Sequence, residues 1–193
     1  MTEQQRSAED DRADHHRADH HRTDHHSADD DAHDHLAAYL NEHLLASEGG
    51  LKAFDAAAGT WAGTRHEQTL RALADEIARD RKDLALLIER LGYRPAGWKR
   101  LLTLAFRTGG SANPVNVLRM RGGSMAQLEL DVLTGMVRAK VSMWDALLTL
   151  AEDDPRFEVR MLEALRRRAE QQITELQFVA HETVRERFLP GRH

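Results

Sequence analysis

Residues 67–92 read EQTLRALADEIARDRKDLALLIERLG, and no other segment of the chain constrains its architecture more. Apolar residues recur here at alternating spacings of three and four, the pattern of a helix that buries one face. The predicted buried positions are Leu70, Leu73, Ile77, Asp80, Leu84, Leu87 and Leu91. Asp80 is their single polar member, and Gly92 is typical of a helix C-terminus. The segment predicts an amphipathic helix, helix B.

Three further segments have helical periodicity. We expect helix A over 34–58, helix C over 125–152 and helix D over 155–189. Their predicted inward positions are Leu36, Leu40, His43, Ser47, Leu51 and Phe54 in helix A; Met125, Glu129, Val132, Met136, Ala139, Met143, Ala146 and Leu150 in helix C; and Leu162, Leu165, Ala169, Gln172, Leu176 and Val179 in helix D. Lys140 and Gln172 are interpreted as partly exposed residues of the seam, the line along which the helices pack against each other. Thr64 and Glu67 resemble a capping box for helix B.

The link between helices B and C, residues 93–124, is long enough to recross a bundle. It would make helices B and C parallel. The fold prediction is an all-α, antiparallel four-helix bundle with one long crossover.

Composition separates an N-terminal arm from this bundle. The 193 residues include no cysteine, which excludes disulfides, thiolate metal sites and a cysteine nucleophile. Residues 1–34 hold 4 Arg and 11 Asp or Glu, a net charge of −7, and offer almost no apolar surface. We expect a disordered arm over 1–33 and a bundle over 34–190. No apolar run suits a transmembrane segment or a leader, so a cytoplasmic location is expected.

Short matching stretches accompany this layout: Asn41-Glu42-His43-Leu44, residues 75–81 (DEIARDR) and Leu128-Glu129-Leu130-Asp131. With them the chain resembles the ferritin-like superfamily, and within it an uncharacterised family of actinobacterial proteins. The resemblance implies ferritin-like topology. The superfamily's di-iron centre uses Glu-x-x-His motifs, and here Arg79 and Arg166 stand three residues after Glu76 and Glu163. The standard di-iron motif is therefore missing.

His43, Asp80 and Glu129 are the polar residues that periodicity places deepest in the bundle. His43 and Asp80 should lie level across the first hairpin, so His43 is the first candidate partner for Asp80, with Arg81 the alternative. The structural interpretation is a buried polar pair that fixes helix register. The functional interpretation is a mononuclear metal or proton-transfer site.

The arm repeats five residues, RADHH, RADHH and RTDHH, over 12–26. Eight of the twelve histidines fall in the arm or directly after it: His15, His16, His20, His21, His25, His26, His33 and His35. Imidazole binds Ni, Zn, Cu or Co, and in a helix His16 with His20 and His21 with His25 would share a face. The repeat predicts transition-metal binding. The alternatives are a solvated tail that has no function and a segment that responds to pH.

The crossover carries six basic residues and no acidic one: Arg94, Lys99, Arg100, Arg107, Arg119 and Arg121. With Trp98 and Phe106 they could face an anionic partner. No nucleic-acid motif accompanies them, so the favoured interpretation is a link whose apolar side packs on helix C while its arginines are solvated.

Helix C carries a second apolar face, formed by Leu130, Val137, Val141, Trp144 and Leu148. We expect this face to be covered by residues 98–106 or to form a homo-oligomer. For function, we expect a non-enzymatic binding or scaffold bundle with a metal-binding arm. The alternative is a metal-dependent oxidoreductase or metal-storage protein with a non-standard ligand set.

Overall fold

The computed structural model describes the backbone of residues 3–93 and 123–189, and the side chains of 31–93 and 125–189. Four helices account for most of these residues: α1 (Glu3–Thr60), α2 (Glu67–Arg90), α3 (Gly123–Leu150) and α4 (Val159–Phe188). The described ranges contain no strand, which confirms the all-helical prediction. The chain divides into two compact units, Met1–Tyr39 and Leu40–His193, and the side-chain contacts below belong to the second.

The first helix begins at Glu3, although the sequence analysis placed its start near Asp34. Residues 3–48 contain neither glycine nor proline, so no local signal ends or begins a helix there. Gly49 and Gly50 are accommodated inside α1. The arm offers almost no apolar surface to bury, and its disorder stays a prediction.

Helices α2 and α4 run antiparallel. At one end, Arg65, just before α2, forms a 3.1 Å ion pair with Glu186 near the end of α4. At the other end, Arg90 lies 3.6 Å from the sulfur of Met161 near the start of α4. The order of residues along the two helices is therefore reversed.

Helices α3 and α4 form the second antiparallel hairpin. Arg187 donates to the side-chain oxygen of Gln127 at 2.9 Å, and Arg166 pairs with Asp145 at 2.7 Å near the opposite end. Because α2 and α3 both oppose α4, they are parallel to each other, as the predicted crossover requires. The link itself, residues 94–122, lies outside the described part of the chain.

The helix B pattern is confirmed residue by residue. All seven predicted stripe positions of α2 are buried, and so are all six predicted inward positions of α4. Gly92 follows Leu91, the C-cap residue of α2, with φ at +79°, a left-handed conformation that glycine adopts without a steric penalty.

The predicted inward face of the third helix is confirmed only in part, because Glu129 and Met143 are buried but Leu150 is exposed. Ala139 and Ala146 are exposed, whereas Leu130, Val137 and Trp144, assigned to a second face, are buried within the chain. Helix α3 has apolar residues on both faces, and periodicity cannot tell which one meets the core. The face that suggested a homo-oligomer is thus largely core and does not require a partner chain. Oligomerisation stays a prediction.

The turn between α1 and α2 fixes two aromatic rings. Thr64 accepts from the backbone N–H of His66 at 3.2 Å, and the Glu67 carboxylate accepts from the backbone N–H of Gly63 at 2.6 Å. The reciprocal bonds of the predicted capping box are therefore not formed: each of the two side chains accepts from a backbone N–H one residue earlier than the box requires. Gly63 adopts φ +79° here, and the turn places Trp61 and His66 in the core.

Candidate functional site

Asp80, the one polar residue of the α2 stripe, is the centre of a buried interaction network. Its side chain is 5% exposed. Lys140 of α3 donates to Asp80 Oδ2, and Gln172 Nε2 of α4 donates to the same oxygen at 3.0 Å. Arg168 Nε lies 2.6 Å from Asp80 Oδ1 as an ion pair in which the N–H is not aimed at the oxygen. One carboxylate therefore joins three helices.

Gln172 extends this network through both the oxygen and the nitrogen of its side-chain amide. Its oxygen accepts from Lys140 Nζ at 2.6 Å, and its nitrogen also donates to Glu76 Oε2 at 3.1 Å. On the solvent side Arg168 pairs with Asp83. We call these six residues the polar layer: Glu76, Asp80, Asp83, Lys140, Arg168 and Gln172.

Burial and charge oppose each other in the polar layer. Burial lowers the pKa of Lys140, and the neighbouring Asp80 carboxylate counteracts this effect. Burial lowers the pKa of Arg168 as well, but the neighbouring Asp83 and Asp80 carboxylates outweigh this effect, so the pKa of Arg168 is raised overall. The layer holds three carboxylates and two cations, so its buried charges are largely compensated within the chain.

The partners of Asp80 differ from those expected. The sequence analysis placed them at His43 on the first helix or at Arg81, whereas the ion-pair partners are Lys140 and Arg168. His43 is half-buried, and burial lowers its pKa. Lys140 and Gln172 are both predicted to be partly exposed seam residues; this is confirmed for Lys140, whose side chain is 16% exposed, and wrong for Gln172, which is fully buried.

Glu129, the third predicted polar core residue, has a separate set of partners. It is 2% exposed, accepts from Trp61 Nε1 at 3.2 Å and makes a longer contact, 3.4 Å, with the Thr60 hydroxyl. Burial raises the pKa of Glu129, against the effect of these two donors and of the Arg187 charge. This carboxyl ties the α1–α2 turn to the first turns of α3.

Arg187 completes the cluster at this end of the bundle. Its guanidinium carbon lies 4.5 Å from the centroid of the Trp61 ring, a cation–π distance. The His66 ring meets Trp61 edge-on at 5.9 Å, and its Nε2 accepts from Arg65 Nε at 3.1 Å. Burial lowers the pKa of His66, and the Arg65 charge adds to this effect. We call Trp61, His66, Glu129 and Arg187 the end cluster.

The sequence analysis missed the partners in both clusters. Lys140, Arg168 and Arg187 belong to charged residue types that mostly lie at the surface, and Trp61 was assigned only to a turn. A usable signal existed for Lys140: it occupies a seam position on α3 and has no acidic residue four positions away on its own helix.

For residues 3–30 of the arm the structure describes the backbone alone, and residues 94–122 of the crossover lie outside the described part of the chain. The side chains of His15, His16, His20, His21, His25 and His26 lie outside the described side chains, as do Arg94, Lys99, Arg100, Arg107, Arg119 and Arg121. His33 and His35 are exposed. Helix α1 places the members of the pairs His16/His20 and His21/His25 one turn apart along its backbone.

A shallow surface cleft lies between the first half of α2 and the second half of α4. Its lining includes Thr69, Ala72, Thr174, Glu175 and Phe178. Its Thr174 hydroxyl donates to the backbone carbonyl of Glu170, and its Glu175 carboxylate accepts from Gln171, so the two groups are not arranged as a nucleophile with its base.

Comparison with known proteins found no match among protein-family models, curated proteins or solved structures. Within 31–93 and 125–189, no three His, Asp or Glu side chains are grouped closely enough to hold a metal ion. None of the helices in the described part of the chain is both long and apolar enough to cross a membrane.

Proposed function

We propose that this chain is a non-enzymatic scaffold of ferritin-like topology whose N-terminal arm binds transition-metal ions. The parallel direction of α2 and α3 supports the topology, because a single crossover between two antiparallel hairpins is the ferritin-like arrangement. The arm is the part of the chain that carries the metal chemistry, with Ni, Zn, Cu or Co as the ions that imidazole prefers.

The observation that carries this proposal is the spacing of histidines on a continuous helix. The arm repeat puts His16 four residues before His20 and His21 four residues before His25. Residues four apart share a helix face, so an arm in the helical conformation of α1 presents two histidine pairs. The neighbouring Asp19 and Asp24 supply carboxylates that compensate the charge of a divalent ion.

The carboxylates that are buried in the described part of the bundle, Asp80 and Glu129, argue against a catalytic interior. Asp80 forms ion pairs with Lys140 and Arg168, and Glu129 accepts a hydrogen bond from Trp61. A di-metal oxidase needs bridging carboxylates with open coordination positions. The alternative, a metal-dependent oxidoreductase or storage protein, would require Lys140 to leave its pocket first.

Ni²⁺ titration of the full chain tests the proposal with two variants that remove the same number of histidines. His16→Gln with His21→Gln breaks both four-residue pairs. His15→Gln with His26→Gln leaves both pairs in place. Each variant removes two imidazoles from the same repeat, so they differ only in spacing.

We expect the pair-breaking variant to lose about tenfold or more in affinity, the loss typical of disturbing a metal site, and the matched variant to stay close to the wild type. Isothermal titration calorimetry measures both. Equal affinities for the two variants would contradict a helical pair site and leave only non-specific binding by the histidine-rich tail.

A further inference from the structure

The position of the Lys140 ammonium has the features of a cation site. Two oxygens are directed at Nζ, Asp80 Oδ2 and Gln172 Oε1, the second at 2.6 Å. Both oxygens belong to buried residues of other helices. The Gln172 amide has one donor at its oxygen and two acceptors at its nitrogen, and these contacts together fix its orientation.

Gln172 Nε2 donates to Glu76 Oε2 at 3.1 Å and to Asp80 Oδ2 at 3.0 Å. An amide whose nitrogen is held by two carboxylate oxygens must turn its oxygen to the opposite side. Lys140 Nζ lies against that amide oxygen and also donates to Asp80 Oδ2, the oxygen that accepts from Gln172 Nε2. The Glu76 contact, which does not involve Lys140, thus helps to direct the amide oxygen toward the cation position.

We propose that the polar layer is a binding site for a primary ammonium ion, which the chain fills with its own Lys140. This site is distinct from the arm proposed to bind metal. Its ligand class follows from the geometry: a primary ammonium offers N–H groups to both Asp80 and Gln172.

Truncation of Lys140 tests the proposal, because Lys140→Ala removes three methylene groups and the ammonium. n-Propylammonium has the same atoms in the same order. In the full chain, Lys140→Ala should lower the midpoint of thermal unfolding by several degrees. Added n-propylammonium chloride should restore at least half of that loss, whereas tetramethylammonium chloride at the same ionic strength, which has no N–H, should restore none.

A matched control and a second variant keep the test decisive. Lys52→Ala removes an exposed lysine that pairs with Glu48 on the surface, and its midpoint should respond equally to the two salts. Lys140→Met keeps most of the stem without the charge, so it should be less stable than the wild type and gain nothing from n-propylammonium.

Three results would overturn the proposal. The first is an equal response of Lys140→Ala to both ammonium salts. The second is wild-type stability of Lys140→Met, since a site that binds a cation cannot be filled by a neutral chain at no cost. The third concerns a Lys140→Ala variant that is unfolded in plain buffer. If n-propylammonium does not restore the helical circular dichroism of that variant, the site is rejected.

Discussion

Asp80 of α2 binds Lys140 of α3, a residue 60 positions away across the whole crossover. The two helices run parallel, so no tight turn could bring these residues together. Arg168 and Gln172 of α4 approach the same carboxylate. The contact therefore fastens the first helical hairpin to the second at a point inside the bundle.

Neutralising this carboxylate should destabilise the fold strongly. Asp80→Asn leaves Lys140 and Arg168 without their shared counter-charge in a buried position, which costs about 3 kcal/mol or more. Urea unfolding followed by circular dichroism measures the change in the free energy of unfolding.

Asp83→Asn is the matched control for this prediction. Asp83 pairs with the same Arg168, but its side chain is 38% exposed, and we expect a loss of no more than about 1 kcal/mol. Similar losses in the two variants would mean that the Asp80 network contributes no more than a surface ion pair.

Glu129→Gln should stabilise the protein at neutral pH. Burial raises the pKa of Glu129 above 4.5, so the folded protein holds this proton to a higher pH than the unfolded chain does. The carboxyl thus favours folding at low pH, and its contribution is lost as the pH rises through the raised value. Glutamine keeps an acceptor for Trp61 and carries no charge.

The comparison of Glu129→Gln with the wild type should therefore depend on pH. The midpoint of thermal unfolding of the variant should exceed that of the wild type at pH 7, and the advantage should vanish below pH 4.5. Glu129→Leu, which leaves the Trp61 N–H without an acceptor, should be less stable than Glu129→Gln. A pH-independent difference between wild type and glutamine variant would refute the role of ionisation.

His66 should make the wild type sensitive to mild acid. Its pKa is lowered from 6.5, so the unfolded chain takes up a proton at a higher pH than the folded protein does. Stability therefore falls as the pH falls below 6.5. His43 has a lowered pKa as well and acts in the same range.

The measurement compares unfolding free energies between about pH 7.5 and pH 5 for three proteins. His66→Gln should lose less stability over this range than the wild type. His181→Gln, at an exposed position of α4, should follow the wild type. Identical pH profiles for all three would show that His66 is protonated equally in the folded and unfolded states.

The sequence predicted the buried stripes of α2 and α4, which have one apolar face, but only part of the buried face of α3, which has two. The alternating spacing in α2 admits one buried stripe, and Asp80 was placed in the core on that basis. Helix α3 has two apolar stripes. Which of them faces the core depends on how α3 packs against α2 and α4, and the sequence of α3 alone does not contain that information. The choice of Ala139 over Val137 as a core residue was wrong for this reason.

The same rotation explains why the partners of Asp80 were missed. Burial of a carboxylate follows from its position in one helix, but its partner follows from which face of another helix it meets. Lys140 has a long stem that lets its ammonium reach inward from a position at the edge of the seam. A search among histidines and sequence neighbours, which led to His43 and Arg81, could not find it.

X-ray absorption spectroscopy of the full chain loaded with Zn²⁺ tests most directly the claim that the metal chemistry resides in the arm and not in the bundle. We expect a coordination shell dominated by imidazole nitrogen at about 2.0 Å, and loss of that shell when His16 and His21 are replaced by glutamine. A carboxylate-rich shell with a second metal at about 3.5–4 Å, unchanged by those replacements, would place the metal inside the bundle and contradict the account.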